Sequence, residues 1–160
     1  MGADCPLKSQ VLLGPCFNSF KTMHWMHTYF YGIYGLVLGF FCRLACREAV
    51  ATIDKMNEKH HPERIVGNGI NKVFSLESYS EIVNVKINGY KSLHQYYELS
   101  NLESKMHKIT IPTFFLAAND DIMMGPYMMP TEKIKDNFLV GVTKAGGHLG
   151  YFEGLVVPTG

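Results

Sequence analysis

The sequence predicts an α/β fold built on a mostly parallel sheet. Two β-prone runs, residues 111–118 and 138–143, each end in polar residues, and the segment between them is long enough for a crossover. Such a crossover makes the two strands parallel and brings their carboxyl ends to one edge of the sheet. A third apolar run, residues 9–14, closes on Gly14-Pro15 and predicts a further strand of the same sheet.

The predicted crossover between the two strands lies in residues 127–136. At about 1.5 Å of rise per residue, this segment has room for about two helical turns. We therefore expect a short helix there, packed on one face of the sheet, as in other connections between parallel strands.

An uncharged stretch, residues 22–42, precedes the polar middle of the chain. It contains no Asp, Glu, Lys or Arg and is rich in aromatic and aliphatic side chains. Its glycines are spaced for close helix packing: Gly32, Gly35 and Gly39. We expect a buried or lid-like helix; the alternative is a transmembrane span, because the stretch is long enough to cross a bilayer. Some of its aromatic residues also suit contact with a membrane surface: Trp25, Tyr29, Tyr31 and Tyr34.

Further helices are predicted across the middle of the chain. Residues 43–59 place apolar side chains at helical spacing between charges, and the sequence HHP at 60–62 ends that pattern. The two histidines are interpreted as a solvated helix end, because adjacent positions face different ways and no third metal ligand is near. Ser75 offers a partial capping signal for helical segments that continue to residues 100–101.

Composition limits the classes of function. A chain of 160 residues with 47% hydrophobic and 18% charged residues is expected to form one globular domain. Its net charge of +1 argues against a nucleic-acid partner. The four cysteines, Cys5, Cys16, Cys42 and Cys46, lack metal-site spacing and are expected to be free buried thiols. We expect no metal and no cofactor. No secretory signal is apparent at the start of the sequence. The sequence does not identify the compartment; an intracellular location, with or without membrane association, is the expectation.

Two candidate catalytic residues follow the predicted strands. Asp121 ends the sequence Asn-Asp-Asp after the first strand, and His148 follows Gly-Gly after the second. Neighbouring strands lie about 4.8 Å apart, so side chains at their carboxyl ends can meet. An Asp-to-His hydrogen bond would hold the imidazole in the tautomer that a general base requires. Asp120 is the competing acid, and the alternative is that Asp121 only caps a turn while His148 is an ordinary loop histidine.

Three motifs carry a resemblance to a known family: IPTFFL at 111–116, NDD at 119–121 and GGHLGYFEG at 146–154. They resemble the C-terminal part of an α/β-hydrolase. More narrowly, they are similar to the subgroup of plant embryogenesis-associated hydrolases, yeast medium-chain ethyl-ester synthases and mammalian membrane-linked phospholipases. The resemblance implies a serine ester hydrolase with Asp121 as the triad acid and His148 as the general base. It also implies medium- or long-chain acyl esters, glycerolipids included, as substrates.

By this resemblance, residues 1–160 form one incomplete α/β-hydrolase domain. The fold would comprise the C-terminal strands of a mostly parallel sheet together with a helical lid region. Residues 1–20 supply a strand and a loop, and residues 21–108 supply the helical lid-like region. Residues 109–154 form the βαβ unit that bears the acid and the histidine, and residues 155–160 are a tail.

The nucleophile of such an enzyme has no counterpart in the sequence. Neither GxSxG nor GxCxG occurs in it, and a glycine-rich oxyanion loop is missing as well. We therefore expect the chain alone to be inactive and to serve as a structural or interaction subunit, with another protein chain covering the incomplete sheet. One alternative is an active lipase or esterase completed by an N-terminal portion that carries GxSxG. The other is a membrane-anchored accessory protein with membrane contact through residues 22–42.

Overall fold

A three-stranded parallel sheet forms the first part of the structure. The structure is a computed structural model that describes residues 5–125 and 129–151. Within them the strands β1 (Gln10–Leu13), β2 (Thr113–Ala118) and β3 (Phe138–Thr143) pair in the order β1-β2-β3, and both pairs are parallel. A parallel sheet accompanied by helices is a partial α/β fold. The predicted fold class and the three predicted strands are therefore confirmed.

The chain forms two compact units. The described residues up to Trp25 and from Asn101 onward form the sheet unit, and Met26–Ser100 form the helical unit. Along the chain the helices are α1 (Ser19–Thr28), α2 (Ile33–His60), α3 (Leu76–Tyr79), α4 (Val85–Asn88) and α5 (Leu93–Ser100), with a π-helical turn, Ser80–Asn84, between α3 and α4. The helical unit is thus inserted in sequence between β1 and β2.

One face of the sheet packs on a core of aromatic and aliphatic side chains. Phe115, in the central strand, is 0% exposed. Its ring centroid lies 5.3 Å from that of Phe17 and 5.2 Å from that of Phe138. The rest of this core consists of Met106 and Ile109, with Leu12 and Val140 packed against them. Because each fully buried aromatic side chain stabilises the fold by about 1.5–3 kcal/mol, this cluster holds the three strands together.

The opposite face of the sheet is apolar and open to solvent. Side chains alternate between faces along a strand, so the neighbours of the core residues point the other way. Val11, Leu13 and Leu139 lie on this second face and are 61%, 51% and 67% exposed. Parallel sheets are normally covered on both faces, which makes this exposed surface unusual for the fold class.

The crossover from β2 to β3 contains less helix than the sequence predicts. In residues 129–136 the structure forms one 3₁₀ turn, Thr131–Lys133, so the expected two-turn α-helix is wrong for this part. Pro130 gives the reason, because it has no N–H to donate and disfavours helical geometry at the residue before it. The first two positions of the predicted helix, Tyr127 and Met128, lie outside the described residues.

The uncharged stretch at residues 22–42 forms two helices rather than one. α1 ends at Thr28, a 3₁₀ turn follows over Tyr29–Gly32, and α2 then runs without a break to His60. At the kink Phe30 and Tyr31 have φ values of 52° and 56°. Left-handed backbone stops an α-helix, and Gly32 adopts it at little cost. The prediction of one helix over residues 22–42 is therefore wrong, because its residues divide between α1 and α2.

The long helix α2 joins two segments that the sequence analysis treats separately. Its second half contains the predicted amphipathic helix at residues 43–59, and its end at His60 confirms the predicted stop. Only part of α2 is buried, since Gly35 and Gly39 are buried whereas Phe41 is 59% exposed. The expectation was a buried or lid-like helix. The exposed side excludes complete burial, and the lid-like role stays a prediction. Among the helices in the described part of the chain, none is long and apolar enough to cross a membrane.

Close packing at Gly39 fixes the start of α3 in the helical unit. A Cβ atom at position 39 would collide with the backbone of Ser75. Ser75 is the N-cap of α3: its Oγ accepts a hydrogen bond from the Ser78 N–H, and the Ser78 Oγ accepts one from the Ser75 N–H. The sequence shows only part of a capping box, because the third position after Ser75 is not Glu. The structure completes the box, since the Ser78 hydroxyl supplies the acceptor that a Glu side chain usually supplies. The core beneath consists of Val50, Val66, Ile70, Val73 and Val83.

A largely buried carboxylate ties separate segments of the sheet unit together. The side chain of Glu103 is 12% exposed; it accepts a hydrogen bond from the Asn18 amide at 2.6 Å and one from the Lys133 ammonium at 3.0 Å. The Lys21 ammonium lies 3.7 Å from the same carboxylate. The Asn18 hydrogen bond, followed by the two lysines, holds the pKa of Glu103 below its usual value, against the opposing effect of burial. The ionised form of Glu103 therefore stabilises the folded state.

We predict a pH-dependent loss of stability in Glu103→Gln. Near pH 7 the free energy of unfolding of the variant is expected to be roughly 1–3 kcal/mol lower than that of the wild type. The reason is that an ionised acceptor makes stronger hydrogen bonds than a neutral one. The folded pKa lies below the unfolded value of about 4.3, so the difference is complete above that value and disappears as the pH falls through the folded pKa. Urea unfolding followed by circular dichroism at several pH values measures it. The exposed Glu132→Gln is the control, and a difference independent of pH would contradict the prediction.

Candidate functional site

Asp121 is held in a turn directly after the carboxyl end of β2. Asp121 is 5% exposed, and its Oδ1 accepts hydrogen bonds from the backbone N–H groups of Met123 and Met124 at 2.9 and 3.0 Å. The turn is closed by a hydrogen bond from the Gly125 N–H to the Asp121 carbonyl at 2.9 Å. One oxygen of the carboxylate is therefore held by backbone groups, and the second oxygen remains for another partner.

The second oxygen of Asp121 meets the imidazole of His148. Nδ1 of His148 lies 3.0 Å from Oδ2 of Asp121. A carboxylate accepts hydrogen bonds and does not donate them, so this contact requires a proton on Nδ1 and leaves Nε2 as the acceptor in the neutral ring. The His148 side chain is 28% exposed, and none of the described residues forms a hydrogen bond to Nε2. The structure thus brings the two predicted site residues together.

Asp120, the competing acid in the sequence, has a different position. Its two carboxylate oxygens accept hydrogen bonds from the backbone N–H groups of Gly147 at 2.9 Å and Gly146 at 3.3 Å. It therefore holds the loop that carries His148, whereas Asp121 contacts the imidazole itself. The alternative in which Asp121 caps a turn is also correct in part, because one oxygen of Asp121 caps the turn while the other bonds His148.

The end of β1 contributes a residue that the sequence analysis used only as a strand terminator. Gly14 has a φ of 52°, and its N–H donates to the Leu116 carbonyl at 2.9 Å. A Cβ atom at position 14 would collide with the His148 carbonyl oxygen and would lie 3.1 Å from Nδ1. Only glycine fits both the backbone conformation and the space. The signal in the sequence was the Gly-Pro pair after a strand, which indicates a turn but not what packs against it.

Two aromatic side chains close the loops around the acid and the histidine. The Trp25 indole N–H donates to the Ile122 carbonyl at 2.8 Å, and its ring leaves no room for a Cβ atom at Gly125. The ring of Tyr151 packs in the same way over Gly146. Burial, together with the nearby charges of Asp121 and Asp120, raises the pKa of Tyr151. Trp25, one of the aromatic residues that suit contact with a membrane surface, thus packs on the turn after Asp121.

A small cavity lies at the carboxyl edge of the sheet beside Asp121. Its volume is about 60 Å³, and its walls include Gly14, Phe17, Ala118 and Met124. Sites for small-molecule ligands usually have about 300–1,000 Å³. The cavity beside the Asp-His pair is therefore too small to be a complete substrate pocket.

A metal site needs three or more His, Cys, Asp or Glu side chains close together. Residues 5–125 and 129–151 contain no group of three His, Cys, Asp or Glu side chains that could hold a metal ion. His61 Nδ1 of the double histidine lies 3.3 Å from a Glu63 oxygen. The four cysteines are free, as predicted, but each is half-buried rather than buried.

Known proteins with similar sequences are lipases and phospholipases. The chain is 30% identical over 52% of its length to monoacylglycerol lipase ABHD2 of Danio rerio, and 28% identical over 60% to that of Homo sapiens. It is 28% identical over 58% of its length to phospholipase ABHD3 of Mus musculus. The chain spans 21%, 24% and 23% of these three relatives. No protein-family profile and no solved structure matches the chain. These relatives are α/β-hydrolases of the lipase and esterase type, and the chain is similar to them over about 60% of its own length.

We predict that Asp121 determines the tautomer of His148. In the wild-type chain, nitrogen NMR of the imidazole is expected to show the proton on Nδ1, because only that tautomer donates to Asp121. In Asp121→Ala the ring loses this acceptor and is expected to shift toward the Nε2-protonated tautomer of free histidine. Asp120→Asn, which retains an acceptor for the Gly146 and Gly147 amides, should keep the Nδ1-protonated form. An Nε2-protonated ring in the wild type would contradict the geometry.

Proposed function

We propose that this chain carries the acid and the base of an acyl-ester hydrolase, with Asp121 as the acid and His148 as the base. The observation that supports the proposal is the 3.0 Å contact between Nδ1 and Oδ2, combined with an Nε2 to which the described residues donate no hydrogen bond. This is the arrangement that a serine hydroxyl needs beside it, because Nε2 can then take the hydroxyl proton.

The proposed reaction is a two-step acyl transfer. His148 Nε2 accepts the proton of a serine hydroxyl as its oxygen attacks the ester carbonyl, and the charged ring is stabilised by Asp121 through Nδ1. The same Nε2–H then donates its proton to the leaving alcohol, so an acyl-enzyme remains. A water molecule, deprotonated by Nε2, attacks the acyl group; the serine leaves with the proton returned, and the carboxylic acid is released.

The serine in this proposal comes from outside the 160 residues. These residues contain no GxSxG, and the chain spans about a quarter of the relatives it matches. We propose that the nucleophile and the oxyanion-hole donors belong to another polypeptide or to a further part of the same protein. The names of the relatives support a glycerolipid ester as the substrate class, and the GGHLGYFEG motif supports membership in the α/β-hydrolase subgroup that includes the embryogenesis-associated hydrolases.

The proposal predicts serine-hydrolase labelling that depends on His148. A tagged copy of the protein is expressed in its own cells and purified in its native state. The purified sample is expected to react with a fluorophosphonate probe, through a serine of a further part of the protein or of a polypeptide that co-purifies with it. Labelling should slow by about 10²–10⁴-fold in His148→Ala, because general base catalysis is lost. In-gel fluorescence over time measures this rate.

The matched control for this experiment is His107→Ala. His107 is exposed and lies in the sheet unit, away from Asp121 in the sequence. Its variant should label at the wild-type rate. Absence of labelling in every purified sample, or equal labelling of the wild type and His148→Ala, would contradict the proposed function.

A second candidate is a structural subunit that binds another protein chain through its sheet. The specific observation is the open apolar face formed by Val11, Leu13 and Leu139, next to the unpaired edges of β1 and β3 in the described sheet. Exposed edge strands and apolar faces of this kind associate with other chains unless they are covered. In this candidate the Asp-His pair is retained for its structural contacts alone.

The second candidate predicts that the isolated 160-residue chain self-associates. Analytical ultracentrifugation should show concentration-dependent association, and Leu139→Lys should weaken it by placing a charge on the open face. Leu7→Lys is the control, because Leu7 is 50% exposed but precedes β1. A folded, monomeric wild-type chain would exclude this candidate, and association that persists in Leu139→Lys would assign it to another surface.

A further inference from the structure

A cleft in the helical unit has the volume of a site for a small molecule. Its volume is about 490 Å³, and such sites usually have roughly 300–1,000 Å³. Its walls come from two 3₁₀ helices, Pro62–Arg64 and Gly67–Lys72, and from the segment that runs from the π-helical turn through α4 to Tyr90. All of these residues belong to the helical unit, so the cleft lies within one compact unit.

The core beneath the cleft sets the spacing of its walls. Val66, in one wall, is 5% exposed and belongs to the buried core of the helical unit, against which Ile82 packs. The Asp54 carboxylate ties this wall to α2, because it accepts hydrogen bonds from the N–H groups of Val66 and Gly67 at 2.8 and 2.7 Å. A Cβ atom at Gly69 would lie 3.0 Å from the Ile82 side chain, so the two walls meet closely there. The folded unit itself therefore shapes the cleft.

The Arg64 guanidinium is placed at the cleft by packing rather than by hydrogen bonds. Gly89 ends α4 with a φ of 70°, and a Cβ atom there would lie 2.9 Å from Arg64 Nε and 3.0 Å from Nη2. Among the described residues no acceptor forms a hydrogen bond with the guanidinium, and Oε1 of Glu63 lies 3.6 Å from its Nε. Nε is enclosed, so the exposed 35% of the side chain lies on other atoms. A guanidinium has five N–H donors, and here they remain available for an oxyanion.

Positive charges outnumber negative charges around the cleft. Besides Arg64, the lining includes Lys72 and Lys86, which come from different walls. Neither ammonium group has a carboxylate within 4.0 Å in the part of the chain that the structure describes. The lining also contains Glu63, which faces Arg64, and Glu81, which forms no ion pair with a described residue. Three cations and two carboxylates leave one positive charge in excess.

This mixture of charges indicates the class of ligand. A phosphomonoester group carries about −1.5 to −2 charge at pH 7 and has three strong acceptor oxygens, which suits a guanidinium together with two ammonium groups. A ligand with anionic groups alone would be repelled by Glu81, whereas hydroxyl groups donate hydrogen bonds to a carboxylate. The rest of the lining includes Ile82, Val85 and Tyr90, which suit contact with a carbon skeleton.

We propose that this cleft binds the phosphomonoester of a small polyol, such as a sugar phosphate. Arg64, Lys72 and Lys86 hold the phosphate group. Glu81 accepts hydrogen bonds from the hydroxyl groups, and the apolar part of the lining contacts the carbon skeleton. This inference goes beyond the proposed hydrolase function and does not depend on it, because none of these residues belongs to the Asp-His site.

Equilibrium dialysis with radiolabelled glucose 6-phosphate tests the proposal on the full chain, purified in its native state. The wild type is expected to bind glucose 6-phosphate more tightly than inorganic phosphate, which lacks the carbon skeleton and its hydroxyl groups. Glucose, which lacks the phosphate, should not compete for the site. Added salt should weaken binding, because the contacts to the phosphate are between charged groups.

Three substitutions in the cleft measure the contribution of each cation. Arg64→Met should raise the dissociation constant about tenfold or more, because a forked, charge-assisted contact is lost. Arg64→Lys keeps the charge without the fork and should also bind more weakly than the wild type. Lys72→Met and Lys86→Met should each raise the dissociation constant roughly two- to fivefold, as expected for exposed ammonium groups. Circular dichroism checks that each variant keeps its helices.

Arg47→Met and Lys55→Met are the matched controls. Both residues are exposed, lie on α2 in the same helical unit and are not part of the cleft lining. Each control removes one positive charge by the same kind of substitution, and each should bind glucose 6-phosphate like the wild type.

The proposal is overturned if the folded wild-type chain does not bind glucose 6-phosphate with a dissociation constant below about 1 mM. It is also overturned if Arg47→Met weakens binding as much as Arg64→Met, because binding would then depend on net charge rather than on the cleft. Inorganic phosphate that binds as tightly as glucose 6-phosphate would overturn the assignment to a polyol phosphate.

Discussion

The parallel pairing of β2 with β3 is the constraint on which the candidate site depends. The six positions of Thr113–Ala118 pair in register with Phe138–Thr143, and one more hydrogen bond follows from the Asn119 N–H to the Thr143 carbonyl at 2.9 Å. Both strands therefore end at the same level, and the loops that carry the acid and the histidine start side by side. A shift of one residue would turn Phe115 out of the core. The hydrophobic core thus also sets the distance between Asp121 and His148.

Backbone amides, rather than side chains, position the two carboxylates next to this pairing. Asp121 is held by two N–H groups of its own turn, and Asp120 is held by two N–H groups of the loop before His148. A buried carboxylate without such partners would strongly destabilise the fold. Adjacent residues therefore have separate roles, in which one carboxylate orients the imidazole and the other orients the loop. Gly14 completes the arrangement by leaving space at the His148 carbonyl.

Two apolar surfaces remain exposed, and their surroundings differ. The sheet face around Leu139 borders strands with unpaired edges, a setting in which another protein chain can add both side-chain packing and backbone hydrogen bonds. The first half of α2 follows the aromatic kink at Phe30 and Tyr31 and leaves Phe41 59% exposed, and its own backbone hydrogen bonds are satisfied within the helix. An added strand could therefore pair with the sheet edge, whereas α2 offers side-chain packing alone.

The sequence by itself determined the three strands, the stop of α2 at His60 and the positions of Asp121 and His148 at two strand ends. These features follow from local patterns: runs of apolar, β-prone residues, glycine and proline residues that end an element, and polar residues after each strand. Only the tertiary structure decided that the stretch at 22–42 divides at Phe30 and Tyr31, that Asp120 holds a loop, and that Gly14 packs against His148. Each of these depends on a contact between residues far apart in sequence or on a left-handed backbone that local propensity disfavours. A sequence pattern indicates which residues prefer burial, but the residues that they pack against are determined only when distant segments meet in the folded chain.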